Sequence, residues 1–352
     1  MKKEDGFKNK KTGFTIVELL TVMAVIMILM SLLVPALSSL RIYALRVKQR
    51  NQFRGMDVAL EFFYNERDGY PDSGEFDKSP IAPSTGLLYC GAMKFAEAMV
   101  GQDLLGFNPQ SKFYQLGTFD GMNPVAGIPS GPIGAVPFGN DLYPGRPDGR
   151  VTSQGKVQAS MKERNKLYLP LENANVYKLG DLYDVGLVNM YFQGSATPLY
   201  PAASLPVLCD VYPTVMHRQT GKNVGMPILY YRANTTKNSH DFTPAMIDLI
   251  YKRQLNDNIY NFMDNERLVE MGLPSEPVAP GPAPTTPQPM AYDNPKRLTE
   301  GEGPQLFYKE TWNQNVPVAG KRPYRADSYI LMSAGFDGLY GTKDDVFNSF
   351  GD

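Results

Sequence analysis

Histidine, cysteine and tryptophan are almost missing from this 352-residue chain, which has two, two and one of them. Two histidines, His217 and His240, are too few and too far apart for a histidine-based zinc motif. Cys90 and Cys209 match no zinc spacing either. They either pair as a disulfide, which export would permit, or stand as two separate buried thiols. Charge of one sign is also lacking: 35 Lys and Arg face 36 Asp and Glu, for a formal net charge of -1. Beyond the N-terminal region no basic run appears, so the chain lacks the electrostatic footprint of a nucleic-acid binder. There is no Walker loop, no dinucleotide fingerprint and no nucleophile elbow. His217 has Asp210 nearby in sequence, but no serine or cysteine in an elbow pattern joins them. Both histidines therefore read as surface or satisfied core residues, and the chain reads as non-enzymatic.

Apolar residues are plentiful, at 43%, enough to bury a sizeable core, while 32 Gly and 29 Pro imply much loop. The decisive segment is the first. Residues 1–13 are short and polar and carry Lys2, Lys3, Lys8, Lys10 and Lys11. Phe14 to Leu40 is apolar except for Thr15, Glu18, Thr21 and a few serines. As a helix this run is about 40 Å long, enough to cross a hydrocarbon core of about 30 Å. The preceding lysines predict a cytoplasmic N-terminus. The run is too long for a signal-peptide core, and no small-residue cleavage site directly follows it. A plain transmembrane anchor would not need Glu18, because a carboxylate deep in such a helix costs about 2.5–3.5 kcal/mol, and less near its end. A cut after Gly13 would create an α-amino group on Phe14, one helical turn away, as a partner for Glu18 within the chain or from a neighbouring subunit.

The stretch Gly13-Phe14-Thr15-Ile16-Val17-Glu18-Leu19-Leu20 resembles the prepilin peptidase motif of type IV pilins and type II secretion pseudopilins. The resemblance covers roughly residues 8–40. It implies cleavage between Gly13 and Phe14, methylation of Phe14, and pairing of Glu18 with a neighbour's N-terminal amine during filament assembly. Pro35 matches a proline frequent in this family's helix, and its missing donor predicts a kink or melted turn. The implied partners are a prepilin peptidase, other pilin or pseudopilin subunits, and inner-membrane lipid.

Residues 41–66 continue the helix, with Phe53, Met56, Leu60 and Phe63 on one apolar face. Arg41, Arg46, Lys48, Arg50 and Arg54 lie between them, as a solvated face or as contacts to headgroups or subunits. Asp68-Gly69-Tyr70-Pro71 is a helix stop and is similar to the end of the long helix in pseudopilins. Residues 72–150 read as loops with one helix at Gly91–Val100. Short strands are expected in 166–193, including Val188–Phe192, and at Pro206–Val211 and Pro227–Ala233. Asp241–Asn265 is expected to be helical, with Met246, Ile247, Ile250 and Leu255 as its core stripe. Pro274–Pro289 holds seven prolines and reads as an extended surface linker.

Near the end, Ser328–Met332 reads as a strand, followed by a loop over 333–346 with Asp337, Asp344 and Asp345 and three glycines. Carboxylates on a flexible loop suit Ca²⁺, but the spacing is not that of an EF-hand. Paired Asp-Gly turns closing a hairpin are the alternative. The segment resembles the calcium-binding loop near the C-terminus of the major type II secretion pseudopilin. That resemblance implies Asp337, Asp344 and Asp345 as side-chain ligands and Ala334 as a carbonyl ligand. Arg-Pro-Tyr at 322–324, taken with the two ends, is similar to pilin-like proteins with enlarged globular domains.

The expectation is an α+β protein. It has a leader (1–13), a helix (14–66, membrane-spanning in 14–40) and an extracytoplasmic domain (67–352) with an antiparallel sheet. It would be a filament subunit anchored in a bacterial inner membrane. The alternative is a membrane-tethered binding protein that borrows the anchor and builds no filament.

Overall fold

The computed structural model describes residues 15–75, 88–115, 142–143, 154–164, 167–193, 202–243, 245–246, 256–273, 303–316 and 322–349. The chain forms two compact units, Met1–Val47 and Lys48–Asp352. One helix, α1 (Ile16–Arg67), supplies the described part of the first unit and continues into the second.

In the first unit, the described apolar side chains of α1 between Ile16 (83%) and Leu40 (62%) are exposed. Among the described residues no helix is long and apolar enough to cross a membrane. The helical backbone itself passes Pro35 and runs on to Arg67.

In the second unit, α1 shows the expected face: Phe53, Met56, Ala59, Leu60 and Phe63 are all buried. Phe63 meets Phe107 and Tyr168 edge-on at 5.1 and 5.3 Å. Arg41, Arg46, Lys48, Arg50 and Arg54 are exposed along the helix. The helix ends at Arg67, two residues before Gly69. Asp68 takes the left-handed conformation (φ 52°), which aspartate tolerates better than most residues.

Further helices among the described residues are α2 (Gly91–Val100), α3 (Gln154–Glu163), α4 (Leu171–Ala174), α5 (Leu179–Leu182), α6 (Val185–Gln193), α7 (Glu266–Glu270) and α8 (Gly303–Thr311). The strands are β1 (Val176–Lys178), β2 (Pro206–Leu208), β3 (Val215–Met216), β4 (Asn223–Val224), β5 (Leu229–Arg232), β6 (Tyr329–Ser333) and β7 (Val346–Phe347). Among the described residues they form three small antiparallel sheets, β1-β2, β3-β4 and β5-β6-β7, rather than one sheet. In the largest, Leu229 pairs with Met332 and Tyr231 with Ile330. Every residue of β6 is buried, because the strand lies at the centre of its sheet inside the core.

Helix α2 is buried along its whole length and packs on β5, where Phe95 stacks on Tyr230 at 5.1 Å. A Cβ at Gly91 would collide with the Tyr230 carbonyl oxygen, so the close approach requires glycine. Cys90 offers α2 no side-chain cap. Asn265 does so from a distance, accepting from Ala92 N–H at 2.8 Å and donating to the Tyr230 carbonyl at 2.9 Å.

Two expected elements need correction. Val188–Phe192 lies in helix α6, not in a strand. Asp184 starts that helix, its Oδ1 accepting from Gly186 N–H at 2.9 Å and Leu187 N–H at 3.3 Å. The helix expected over Asp241–Asn265 does not reach its end. Asn258 holds the backbone of Asp241 through both amide atoms, and only a short 3₁₀ turn, Phe262–Asn265, follows. Ala245 and Met246 are helical, whereas Ile247, Ile250 and Leu255 lie outside the described residues, as do Gly13, Phe14 and Pro274–Pro289. Of the two alternatives left open for Cys90 and Cys209, the structure shows two free, buried thiols in one hydrophobic core. Burial pushes the Cys90 thiol up to about 12 and raises Cys209 as well, which leaves both inert.

Candidate functional site

The first described residue, Thr15, caps α1. Its backbone N–H and its hydroxyl both donate to Glu18 Oε2, each at 2.9 Å. In return the Glu18 N–H donates to Thr15 Oγ1 at 3.2 Å. This is a reciprocal capping box, in which two orphan donors of the first turn are satisfied by the two side chains. The Thr-x-x-Glu spacing at 15–18 carries that signal in the sequence. Glu18 therefore has an intrachain partner at the start of an otherwise apolar, exposed helix. Thr21 adds a bond to the Glu18 carbonyl at 3.0 Å.

Gly13 and Phe14 stand immediately before this cap. Residues 8–34 match the prokaryotic N-terminal methylation motif. The chain carries a prepilin-type N-terminus. The motif implies processing by a prepilin peptidase and assembly with pilin subunits, and it supports a type IV pilin-like family. The matched residues end within α1, so the globular unit is outside the match. No curated protein and no solved structure matches the chain.

The C-terminal loop is a second cluster. Ala334 is buried, and Gly335 (φ 69°) lies where a Cβ would collide with the Asp344 carbonyl oxygen. Asp344 Oδ2 accepts from Asp337 N–H at 2.9 Å and Oδ1 from the Thr342 hydroxyl at 2.5 Å. Asp337 Oδ1 accepts from Leu339 N–H at 2.8 Å. Burial and the adjacent Asp344 charge push Asp337 up. Burial works to raise Asp344 as well, but its hydrogen bonds from Thr342, Asp337 and Phe336 outweigh that and hold it below the usual carboxylate range.

Asp345 takes other partners. Its Oδ2 accepts from Gly341 N–H at 2.7 Å and Thr342 N–H at 3.2 Å, while Oδ1 is shielded from solvent and has no hydrogen-bond partner among the described residues. Glu310 Oε2 on α8 is in the same condition. Burial and the Glu310 charge raise Asp345 well above the ordinary value, and burial pushes Glu310 up to about 7. Sequence reasoning missed Glu310 because 35 positions separate it from Asp345, with no local pattern joining them. Among the described residues, no three His, Cys, Asp or Glu side chains are grouped so as to hold a metal ion.

The histidines take structural partners. His217 Nδ1 accepts from Gln219 and Thr220 N–H, both at 3.3 Å, and its Nε2 lies 4.0 Å from Asp181. Asp210 instead accepts from the Ser333 hydroxyl at 2.7 Å and from Met226 N–H at 3.1 Å. His240 is fully buried, with Nε2 2.7 Å from the Tyr308 carbonyl. The segment after Arg-Pro-Tyr matters more than its sequence announced. Arg325, Tyr329 and Asn348 all donate to Asp57 on α1, tying the last sheet to the helix.

Proposed function

We propose that the chain is a structural subunit of a type IV pilus-like or type II secretion filament. In this reading it is held in a bacterial inner membrane by α1 and cut after Gly13. The new Phe14 amine pairs with Glu18 of a neighbour as helices bundle and the globular units face outward. The match over residues 8–34 carries this reading. The unbroken α1 backbone and the apolar sequence from Phe14 to Leu40 support membrane insertion. Within an apolar bundle an unpaired carboxylate would cost several kcal/mol, so the pair would fix register. The test is Glu18→Ala in the native host. Loss of cross-linkable assemblies with membrane insertion retained is expected, and assembly at the normal level would refute the filament role.

One feature favours the rival reading of a tethered binding protein. A groove of about 560 Å³ runs between Gln52, Val58 and Phe62 of α1 and Tyr168, Pro170 and Glu172. Under that reading Glu18→Ala leaves function intact.

We propose further that the C-terminal loop takes Ca²⁺, with Asp337, Asp344, Asp345 and the Ala334 carbonyl as ligands and Glu310 as an added acid. The shielded oxygens on Asp345 and Glu310, without a hydrogen-bond partner among the described residues, support it, since buried acceptors left without a donor are costly and hard oxygen donors suit this ion. A chelator should lower the melting temperature. An unchanged melting temperature would remove the metal.

A further inference from the structure

Lys94, on α2, is a buried nucleophile. Its side chain is 1% exposed, and its Nζ lies 2.9 Å from Asp72 Oδ2 and 2.6 Å from the Gly74 carbonyl oxygen. Asp72 belongs to a segment that is pinned on both sides. The Pro71 carbonyl accepts from the Tyr230 hydroxyl at 2.8 Å, and Ser73 Oγ from Arg232 N–H at 3.0 Å. The Glu75 carbonyl accepts from Tyr89 N–H at 2.8 Å. The Ser73 hydroxyl in turn donates to Asp264 Oδ2 at 2.5 Å. An amine and a carboxyl group held in contact by fixed surroundings react as if at very high concentration. Burial favours the neutral forms of such a pair, because charges are costly to take out of water. Asp264 does not oppose this. Burial pushes it up to about 7, helped by the Asp72 charge, so at lower pH it adds no negative charge to hold an ammonium. Glu75 has its own cation, Arg267 Nε at 3.7 Å.

We propose that Lys94 and Asp72 condense into an intrachain isopeptide bond, for which the 2.9 Å contact is the reactant pair. One proton passes from the Lys94 ammonium to the Asp72 carboxylate. The amine Nζ then attacks Asp72 Cγ, the new N–C bond forms, and one Cγ–O bond breaks. Nitrogen gives up two protons in all, and both depart with the carboxylate oxygen as water. Nothing is oxidised or reduced, and no co-reactant is needed. The Asp72 side chain is 28% exposed, which gives the water a way out. The remaining N–H keeps the Gly74 carbonyl as its acceptor. The bond ties the loop that leaves α1 to the buried helix α2, and it closes the chain between positions 72 and 94.

The first measurement needs no variant. The full chain is purified in detergent, denatured, and digested with a protease that cuts after Lys and Arg. An acylated Lys94 is not cut. A branched peptide joining residues 68–78 to 79–112 is therefore expected, one water lighter than the two together. Fragment ions should place the bond between Lys94 Nζ and Asp72. Lys94→Arg keeps the cation but cannot form the amide, and its digest should hold linear peptides cut normally after position 94. Complete ordinary cleavage after Lys94 in the natural chain overturns the proposal and leaves an ion pair. A branch that persists in Lys94→Arg, or that maps to a carboxylate other than Asp72, overturns it as well.

Discussion

Asp57 is the residue whose removal should damage the globular unit most. It sits on α1 and accepts four hydrogen bonds: Arg325 Nη1 and Nη2 at 3.2 and 3.3 Å, Tyr329 Oη at 2.7 Å, and Asn348 Nδ2 at 2.8 Å. Replacing it with alanine strands these donors unequally. Arg325 is about one-third exposed and can turn to water, so the ion pair itself counts for about 1 kcal/mol or less. Tyr329 is buried at the start of β6, and its hydroxyl would lose the Asp57 acceptor, at about 1–3 kcal/mol. With Asn348 added, Asp57→Ala should cost roughly 3–5 kcal/mol, a large part of a typical domain's stability. Asp57→Asn keeps one acceptor and should cost about half as much. Urea unfolding of the full chain in detergent measures this, with Arg325→Met to isolate the ion pair by a double-mutant cycle. A cost below about 1 kcal/mol for Asp57→Ala would refute the hub.

Burial pushes Asp210 and Asp264 each up to about 7, despite their hydrogen bonds from Ser333 and Ser73. Each binds its proton more tightly folded than unfolded, so the stability it contributes is present below about pH 4 and is lost as pH rises through about 7. Asp210→Asn should flatten the fall in melting temperature between about pH 4 and 7, and an unchanged pH profile would count against this. Cys90 and Cys209 should both remain free: the folded protein should resist thiol reagents until denaturant is added, and a reductant should not shift its melting temperature. A mass two protons short of the fully reduced chain would contradict this.

What the sequence made legible was periodic and local. The apolar face of α1 from Phe53 to Phe63, the bounds of α2, and the core strands at 229–232 and 329–333 follow from spacing and β-branched or aromatic runs. The misread elements are those in which a polar side chain decides. Val188–Phe192 looks like a strand by composition, yet the Asp184 cap makes it the end of a helix. Asn256, Asn258 and Asn261 each bond to nearby backbone, and such side chains favour turns over the helix that the apolar stripe suggested. The processing motif was legible residue by residue because its chemistry is contiguous. Glu310 beside Asp345 and Asp57 beside Arg325 were not, because folding alone brings them together.

The most direct measurement is the mass and sequence of the mature N-terminus purified from membranes of the native host. A polypeptide beginning at N-methylated Phe14 is expected. One that still begins upstream of the Gly13–Phe14 bond would contradict the prepilin reading, because no α-amine would then stand near Glu18.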